Sequence, residues 1–354
     1  MEQKRALTEV SKEELQALVA AWGQPRYRAD QIWRWLYVNL ASDPAEMTNL
    51  PQELRARLAE EFVISSVRPL RTLRSQDGRT EKVLLALADG QTIETVLMSY
   101  EGRQTVCVSS QVGCAVRCAF CATGVGGWQR NLTAGEIVDQ VLYYARQLKP
   151  LGETVSNLVY MGMGEPFLNM DAVLRSISVL NDPAGMNLGA RRITLSTVGI
   201  VPGIERLAQE APAVGLAVSL HAPTDELRNQ LVPVNRRYPL EVLIKACRDY
   251  VQKTRRRVTF EYAMIDGVND APAQADALAN LLRGLLCHVN LIPMNPVPDL
   301  PYRPSPRERI LAFEARLRQR GIKTTLRLSR GADIQAGCGQ LRSAPVECQT
   351  IVNA

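Results

Sequence analysis

The sequence predicts an α/β fold: an incomplete (β/α)6 barrel preceded by a helical module and a short β linker. Three observations carry that expectation. From about residue 104 onward, short β-rich runs alternate with amphipathic helical runs, the pattern of a parallel sheet with crossover helices. Residues 1–64 carry helical periodicity and helix-start signals. Between these parts, residues 65–103 hold β-rich runs punctuated by Asp-Gly pairs, which mark hairpins. At 354 residues the chain can bury one large domain and a small accessory one. Hydrophobic residues make up 46% and charged residues 22%, which excludes a disordered chain.

In the helical module, Ser11-x-x-Glu14 is a capping box ahead of Leu15, Leu18 and Val19. A second helix carries Ile32, Trp33, Trp35, Leu36 and Leu40, with the tryptophans assigned to the core. Pro51 suits the first helical position before Leu54, Leu58 and Phe62. In the linker, Asp77-Gly78 and Asp89-Gly90 separate runs such as Val83-Leu84-Leu85 and Thr92-Ile93-Glu94-Thr95-Val96. The barrel strands are expected at Thr105–Ser109, Asn157–Met161, Ile193–Ser196, Gly215–Leu220, Val258–Ala263 and Val289–Pro293. The clearest helix starts at the capping box Thr133-x-x-Glu136 and runs through Ile137, Val141, Leu142 and Leu148. A last strand, Lys323–Leu328, precedes a Gly-rich tail, and the Pro-rich stretch 293–306 is a loop. The domains are therefore 1–64, 65–103 carrying Glu94, and 104–354. In a barrel of this kind functional residues gather at the C-terminal ends of the strands.

No stretch reaches the roughly 18 apolar residues of a membrane span. Met1-Glu2-Gln3-Lys4-Arg5 has no apolar run behind it, so the cytoplasm is the expected address. Net charge is +6, carried largely by arginine clusters at Arg191-Arg192, Arg236-Arg237, Arg255-Arg256-Arg257 and Arg316, Arg318, Arg320. Such clusters suit phosphate, although arginines on solvated faces are common in any soluble protein. Eight cysteines in a cytosolic chain point to metal binding or catalysis rather than a disulfide framework.

Four of those cysteines crowd into residues 107–121. Cys114, Cys118 and Cys121 form C-x3-C-x2-C, a spacing that chance placement yields with a probability of about 0.004. The motif follows the first barrel strand. Three thiolates suit a [4Fe-4S] cluster with one iron left open for an outside ligand. The amino and carboxylate groups of S-adenosylmethionine (SAM) can fill that place, and an electron from the cluster can cleave the sulfonium to a 5′-deoxyadenosyl radical. The competing reading is a structural zinc site completed by Cys107 or a histidine.

The C-x3-C-x-F-C motif resembles the radical SAM superfamily. Further stretches narrow the resemblance to the RlmN family and its relative Cfr. They are Cys107-Val-Ser-Ser-Gln-Val-Gly-Cys114, Met161-Gly-Met-Gly-Glu-Pro166, Leu195-Ser-Thr197, Ser219-Leu-His-Ala222, Asn295-Pro296, the run from Gly331 to Leu341, and Tyr27 to Trp33. The resemblance implies SAM contacts at Gly164, Glu165, Ser196, Ser219, Leu220, His221 and Asn295. Glycine at 164 would let the backbone approach a ligand closely. It implies that Cys338 is methylated by a first SAM and that a radical from a second SAM activates this methyl group for addition to adenine. Glu94 corresponds to the proton acceptor and Cys107 to the resolving thiol, with a transient Cys107–Cys338 disulfide. On the residues alone Glu94 is an ordinary strand carboxylate, and Cys247, Cys287 and Cys348 are small buried hydrophobes.

The resemblance further implies methylation at C2 of adenosine 2503 in 23S rRNA and adenosine 37 in tRNA, with a flavodoxin- or ferredoxin-type electron donor and a monomeric enzyme. C2 of adenine is electron-poor, so polar methyl transfer fails there while a carbon radical can add. The target base must leave its stack. Arg117, Trp128, Gln129 and Arg130 beside the cluster loop, and Arg26, Arg28 and Arg34 in the helical module, are the candidate RNA contacts. The alternatives are Cfr-type methylation of C8, a radical SAM enzyme with another substrate, and a non-catalytic, zinc-stabilised RNA-binding protein. Gly-Glu-Pro at 164–166 and the Trp33/Trp35 helix resemble RlmN more than Cfr. Met294 departs from the tryptophan expected before Asn295-Pro296.

Overall fold

The computed structural model describes residues 4–298, 300–327 and 330–343. At its centre lies one ten-stranded sheet whose spatial order follows the chain. Its strands are β1 (Val67–Arg74), β2 (Thr80–Leu87), β3 (Thr92–Tyr100), β4 (Arg103–Cys107), β5 (Asn157–Tyr160), β6 (Ile193–Thr197), β7 (Gly215–Ser219), β8 (Val258–Met264), β9 (Cys287–Pro293) and β10 (Thr324–Leu326). Strands β1 to β4 pair antiparallel, and β4 to β10 pair parallel. The parallel part is the expected open barrel, since β1 and β10 are the two edges of the sheet. The last strand is shorter than the expected Lys323–Leu328, and Leu328 and Cys348 lie outside the described residues.

The stretch read as a linker is continuous with the barrel. Strand β3 pairs with β4 in a register that sets Val96 opposite Cys107. Side chains alternate across a strand, so Glu94, Val96 and Cys107 share one face. The hairpin turns fall at the Asp-Gly pairs, where Gly78 and Gly90 take φ of 65° and 81°.

The helix Ala134–Leu148 covers the sheet between β4 and β5. Thr133 Oγ1 accepts from Glu136 N–H at 3.1 Å and Glu136 returns the bond to Thr133 N–H at 2.9 Å. Ile137, Val138, Val141 and Leu142 are fully buried, each contributing about 1.5–3 kcal/mol. The helical module is fastened to this helix. Glu9 accepts from Gly135 N–H, Thr8 Oγ1 donates to Asp139 at 2.9 Å, and Arg146 donates to Leu40 O and Ala41 O. Ser11 caps the helix Lys12–Ala21 reciprocally with Glu14 as expected. Pro51 sits one place earlier than expected, as N-cap of Gln52–Glu61. Trp33 belongs to the core, whereas Trp35 is half-buried and donates from Nε1 to Asn49 at 2.6 Å.

After β10 the chain turns back across the antiparallel strands. Arg330 donates to Ser99 O at 3.1 Å, Gln76 N–H to Asp333 at 2.8 Å, and Arg342 N–H to Glu94 Oε2 at 3.0 Å. This tail covers the open side of the barrel and carries Cys338 over its interior. Among the described residues no helix is long and apolar enough to cross a membrane.

Candidate active site

The cysteine loop is clamped at its base. Gln111–Gly113 pairs antiparallel with Trp128–Asn131, and Cys114 N–H donates to Gly127 O at 2.8 Å. Gly113 has φ of 74°, and a Cβ there would lie 1.9 Å from Gly127 O, so only glycine closes this loop. Cys114, Cys118 and Cys121 are half-buried. Burial pushes Cys114 up to about 12 and Cys118 well above the ordinary thiol range, and the neighbouring thiols raise both further. Among the described residues no three His, Cys, Asp or Glu side chains close around a single metal ion. Three thiols in one short loop that raise one another's pKa suit a four-iron cluster, which would draw off their protons on binding.

The loop forms one wall of a cavity over the C-terminal ends of the parallel strands. Cys118 and Cys121 face it, and Gly164, Glu165, Ser196, Ser219, His221, Asn295 and Cys338 complete it. The hydroxyls of Ser196 and Ser219 stand 3.5 Å apart at the ends of β6 and β7. Leu220 is not brought to this cavity. Its side chain is in the core, its N–H donates to Glu261 O and its carbonyl accepts from Arg228. Gly164 lines the cavity, and with φ of 98° a Cβ there would meet Gln111 at 2.6 Å, so packing also demands glycine at this position.

Glu165 is buried and accepts from Phe167 N–H at 3.0 Å and Val198 N–H at 2.8 Å, joining the loops after β5 and β6. Burial pushes its carboxyl up to about 7, against those amides and the Thr197 hydroxyl. His221 has φ of 60° and lies edge-on to Phe120, ring centroids 4.8 Å apart. Its Nδ1 accepts from Ala263 N–H at 3.0 Å. Burial lowers its pKa to about 3, so it is a neutral imidazole with the proton on Nε2. Asn295 donates to Cys338 O at 3.1 Å and thereby seats the tail loop on the barrel.

Cys338 is near enough to Cys107 for its charge to be felt there. Burial pushes Cys107 up to about 12, the Cys338 thiol adds to this, and Arg327 opposes it. Cys338 is open to solvent on one side. Crowding by protein on its other sides raises its thiol, again against Arg327. Arg327 is in turn held 3.7 Å from Glu261, a cavity-wall carboxylate that also accepts from Asn290 at 2.9 Å.

Glu94 lies in an adjoining recess shared with Arg71, Lys82, Gln335 and Arg342. Its Oε1 pairs with Lys82 Nζ at 2.8 Å, and both side chains are nearly buried. The sequence offered no signal for Lys82, Glu261, Arg327 or Arg228, since their contacts are made by folding rather than by a recognisable spacing. Two of the expected RNA contacts are engaged within the protein. Arg130 is a strut between Asp89 and Glu136, and Arg28 bonds Gln31 and Asn49. Arg117, Trp128, Gln129, Arg26 and Arg34 are exposed.

The open parallel barrel, with a three-cysteine loop after its first parallel strand, defines a radical SAM protein. Residues 108–278 match the family model described as "Radical SAM superfamily", and residues 6–64 match "Ribosomal RNA large subunit methyltransferase N-terminal domain". A protein of Chloroflexus aurantiacus described as "Probable dual-specificity RNA methyltransferase RlmN" is 51% identical over 96% of this chain and 93% of its own. One of the same description from Moorella thermoacetica is 52% identical over 95% and 96%. The crystal structure of a radical SAM methyltransferase from Sphaerobacter thermophilus superimposes with a TM-score of 0.94 at 58% identity, covering 96% of this chain and 99% of that one. The chain belongs to the RlmN family, and its cofactors are a [4Fe-4S] cluster and SAM. This sets aside the zinc-stabilised reading.

Proposed function

We propose that this protein methylates C2 of an adenosine in 23S rRNA and of an adenosine in the tRNA anticodon loop, using Cys338 as the carrier of the carbon. The observation that supports this reading most is that Glu94 and Cys107 share one face of the paired strands β3 and β4 while Cys338, on the tail that bonds Glu94 through Arg342, acts electrostatically on Cys107. Cys114, Cys118 and Cys121 would hold the cluster. Ser196, Ser219, His221 and Asn295, which line the cavity, would hold SAM together with the turn at Gly164 and Glu165. When bound, the cluster supplies the electron and SAM supplies the methyl group and the radical that activates it.

The protein's own residues supply the rest. Cys338 presents a one-carbon unit on its sulfur and becomes linked through it to adenine C2. Glu94 removes the proton from C2 as the unpaired electron left by the radical addition passes to a one-electron acceptor such as the oxidised cluster, which restores the ring. The thiolate of Cys107 attacks the sulfur of Cys338, the carbon–sulfur electron pair returns to the new carbon, and that carbon takes a proton to become the methyl group. The product is a Cys107–Cys338 disulfide, which must be reduced before another turnover. Cys107 is buried and protonated at rest, so it becomes a thiolate only after giving up its proton beside Arg327. The exposed Arg26, Arg34, Arg117 and Trp128 suit phosphate and base contacts. Residues 1–64 form the module that would grip RNA.

The test is anaerobic turnover with SAM, reductant and unmodified 23S rRNA or tRNA, followed by mass spectrometry of the nucleosides. The expected product is 2-methyladenosine, absent with Cys338→Ala. Formation of 8-methyladenosine would transfer the same chemistry to C8, and neither product despite SAM cleavage would overturn the substrate assignment.

A further inference from the structure

Arg228, on the helix Asp225–Leu231, is a buried cation with no ion-pair partner among the described residues. It is 0% exposed. Its guanidinium donates to Leu220 O at 3.1 Å, Ser219 O at 3.3 Å, Val198 O, and Asn235 Oδ1 at 2.8 Å. Every one of these acceptors is neutral. The carboxylate of Asp225 reaches this network only through Asn235, whose Nδ2 it accepts at 2.8 Å, and it spends the same oxygen on Leu240 N–H. Among the described residues no carboxylate forms an ion pair with Arg228. Arginine does not shed its proton under these conditions, so the charge is permanent. A buried charge with dipoles alone around it is strongly unfavourable, and native proteins neutralise such charges with a partner or a metal centre.

The cysteine loop packs against the helix that carries Arg228. Ala119 N–H donates to Leu231 O at 3.0 Å, one helical turn along from Arg228. Cys118 packs against the apolar patch that contains Leu231, Val232 and Met294. Burial lowers the Arg228 guanidinium to about 10, against the opposing charges of the Cys118 sulfur and Asp225. Three thiolates outweigh the charge of the oxidised four-iron core by one unit, and the electron added on reduction deepens that excess.

We propose that Arg228 is the counter-ion of the iron–sulfur cluster, a positioning residue whose fixed charge favours the reduced state while its bonds hold the ends of β6 and β7. This rests on Cys114, Cys118 and Cys121 holding the cluster. The physical reason is that a charge in a dry, low-dielectric site acts on its neighbour with little screening, so removing it makes each added electron harder to place. Sequence spacing gives no hint of this, because Arg228 is 110 positions from Cys118 and sits in an otherwise unremarkable helix.

The experiment is a potentiometric titration of the anaerobically reconstituted protein, read by electron paramagnetic resonance, with iron content measured alongside. Arg228→Gln keeps hydrogen-bonding capacity and loses the charge. Its ratio of reduced to oxidised cluster at a fixed potential is expected to fall at least tenfold, about 59 mV for a one-electron couple. Arg228→Lys keeps the charge and is expected to stay within about threefold of the unsubstituted protein, or about 0.6 kcal/mol. A fully loaded Arg228→Gln protein with an unchanged midpoint overturns the proposal. If Arg228→Gln takes up no iron, Arg228→Lys decides. A normal midpoint there supports the proposal, and a tenfold shift or a failure to load overturns it, because the charge is retained. An unsubstituted protein that binds no cluster would instead overturn the three-cysteine assignment.

Discussion

Lys82 Nζ lies 2.8 Å from Glu94 Oε1 and 3.0 Å from Gln335 O, so one ammonium joins a carboxylate on β3 to the tail that carries Cys338. Arg342 N–H bonds the other carboxylate oxygen at 3.0 Å. Cys338 is therefore tethered on both sides to the same ion pair.

Removing Lys82 alone leaves a nearly buried carboxylate without its partner. Lys82→Met is expected to destabilise the protein by about 3–5 kcal/mol. Adding Glu94→Gln to it recovers most of that loss, because the stranded charge goes with the carboxylate. Denaturant melts of the two single variants and the double variant check this. Additive losses would show that the pair is not coupled.

Cys107→Ala removes the thiol proposed to attack the Cys338 sulfur. The expected outcome is a protein–RNA species that survives denaturing electrophoresis, with methylated nucleoside reduced at least a hundredfold. The same species is absent from the Cys107→Ala/Cys338→Ala double variant. Free RNA alone in the single variant would exclude the resolving role.

Gly113→Ala forces a methyl group to within 1.9 Å of Gly127 O at a residue with positive φ. The backbone strain alone costs about 1–3 kcal/mol. The cysteine loop must open at its base, so iron bound per chain after reconstitution falls severely. Because the defect is confined to the loop, the far-ultraviolet circular dichroism is expected to remain that of the parent.

Asp139 accepts from Thr8 Oγ1, Ser66 N–H and Ser66 Oγ where the helical module meets the barrel. Burial nevertheless pushes its carboxyl from 3.8 up to about 6. The native state then holds this proton to higher pH than the unfolded chain does. Between about pH 4 and pH 6 the unfolded chain binds fewer protons, so this group's contribution to stability is lost as pH rises through that window and is level above it. Asp139→Asn removes the decline, worth about 3 kcal/mol across the window. The comparison is of urea-unfolding free energies for the two proteins at pH 4, 5, 6 and 7.

The parts of this molecule that could be read from its sequence are those whose cause lies within a few residues. The capping boxes at Ser11 and Thr133 announce their helices because cap and partner are three positions apart. The Asp-Gly pairs mark turns because only glycine takes positive φ there without strain. Cys114, Cys118 and Cys121 stand out as the proposed cluster ligands because one short loop supplies all three thiols. Strand runs at β5 to β9 stand out because a sheet covered on both faces demands continuous apolar segments. Contacts with distant causes are not legible in the same way. Leu220 looked like a ligand contact beside Ser219 and His221, yet the alternation along the strand end turns it into the core. Arg130 looked free for RNA, yet Asp89, 41 positions away, and Glu136 hold it.

The chemistry of the cofactors and the open parallel barrel thus follow from local pattern, since short-range spacing and periodicity are recorded directly in the chain. The pairing of Glu94 with Lys82 and Arg342, the meeting of Cys107 with Cys338 beside Arg327, and the burial of Arg228 without a carboxylate arise from folding in space. Glu94 and Arg342 are 248 positions apart. Contacts over such distances depend on how strands register and how the tail returns across them, and no periodicity in the sequence encodes where two remote side chains will share one low-dielectric pocket.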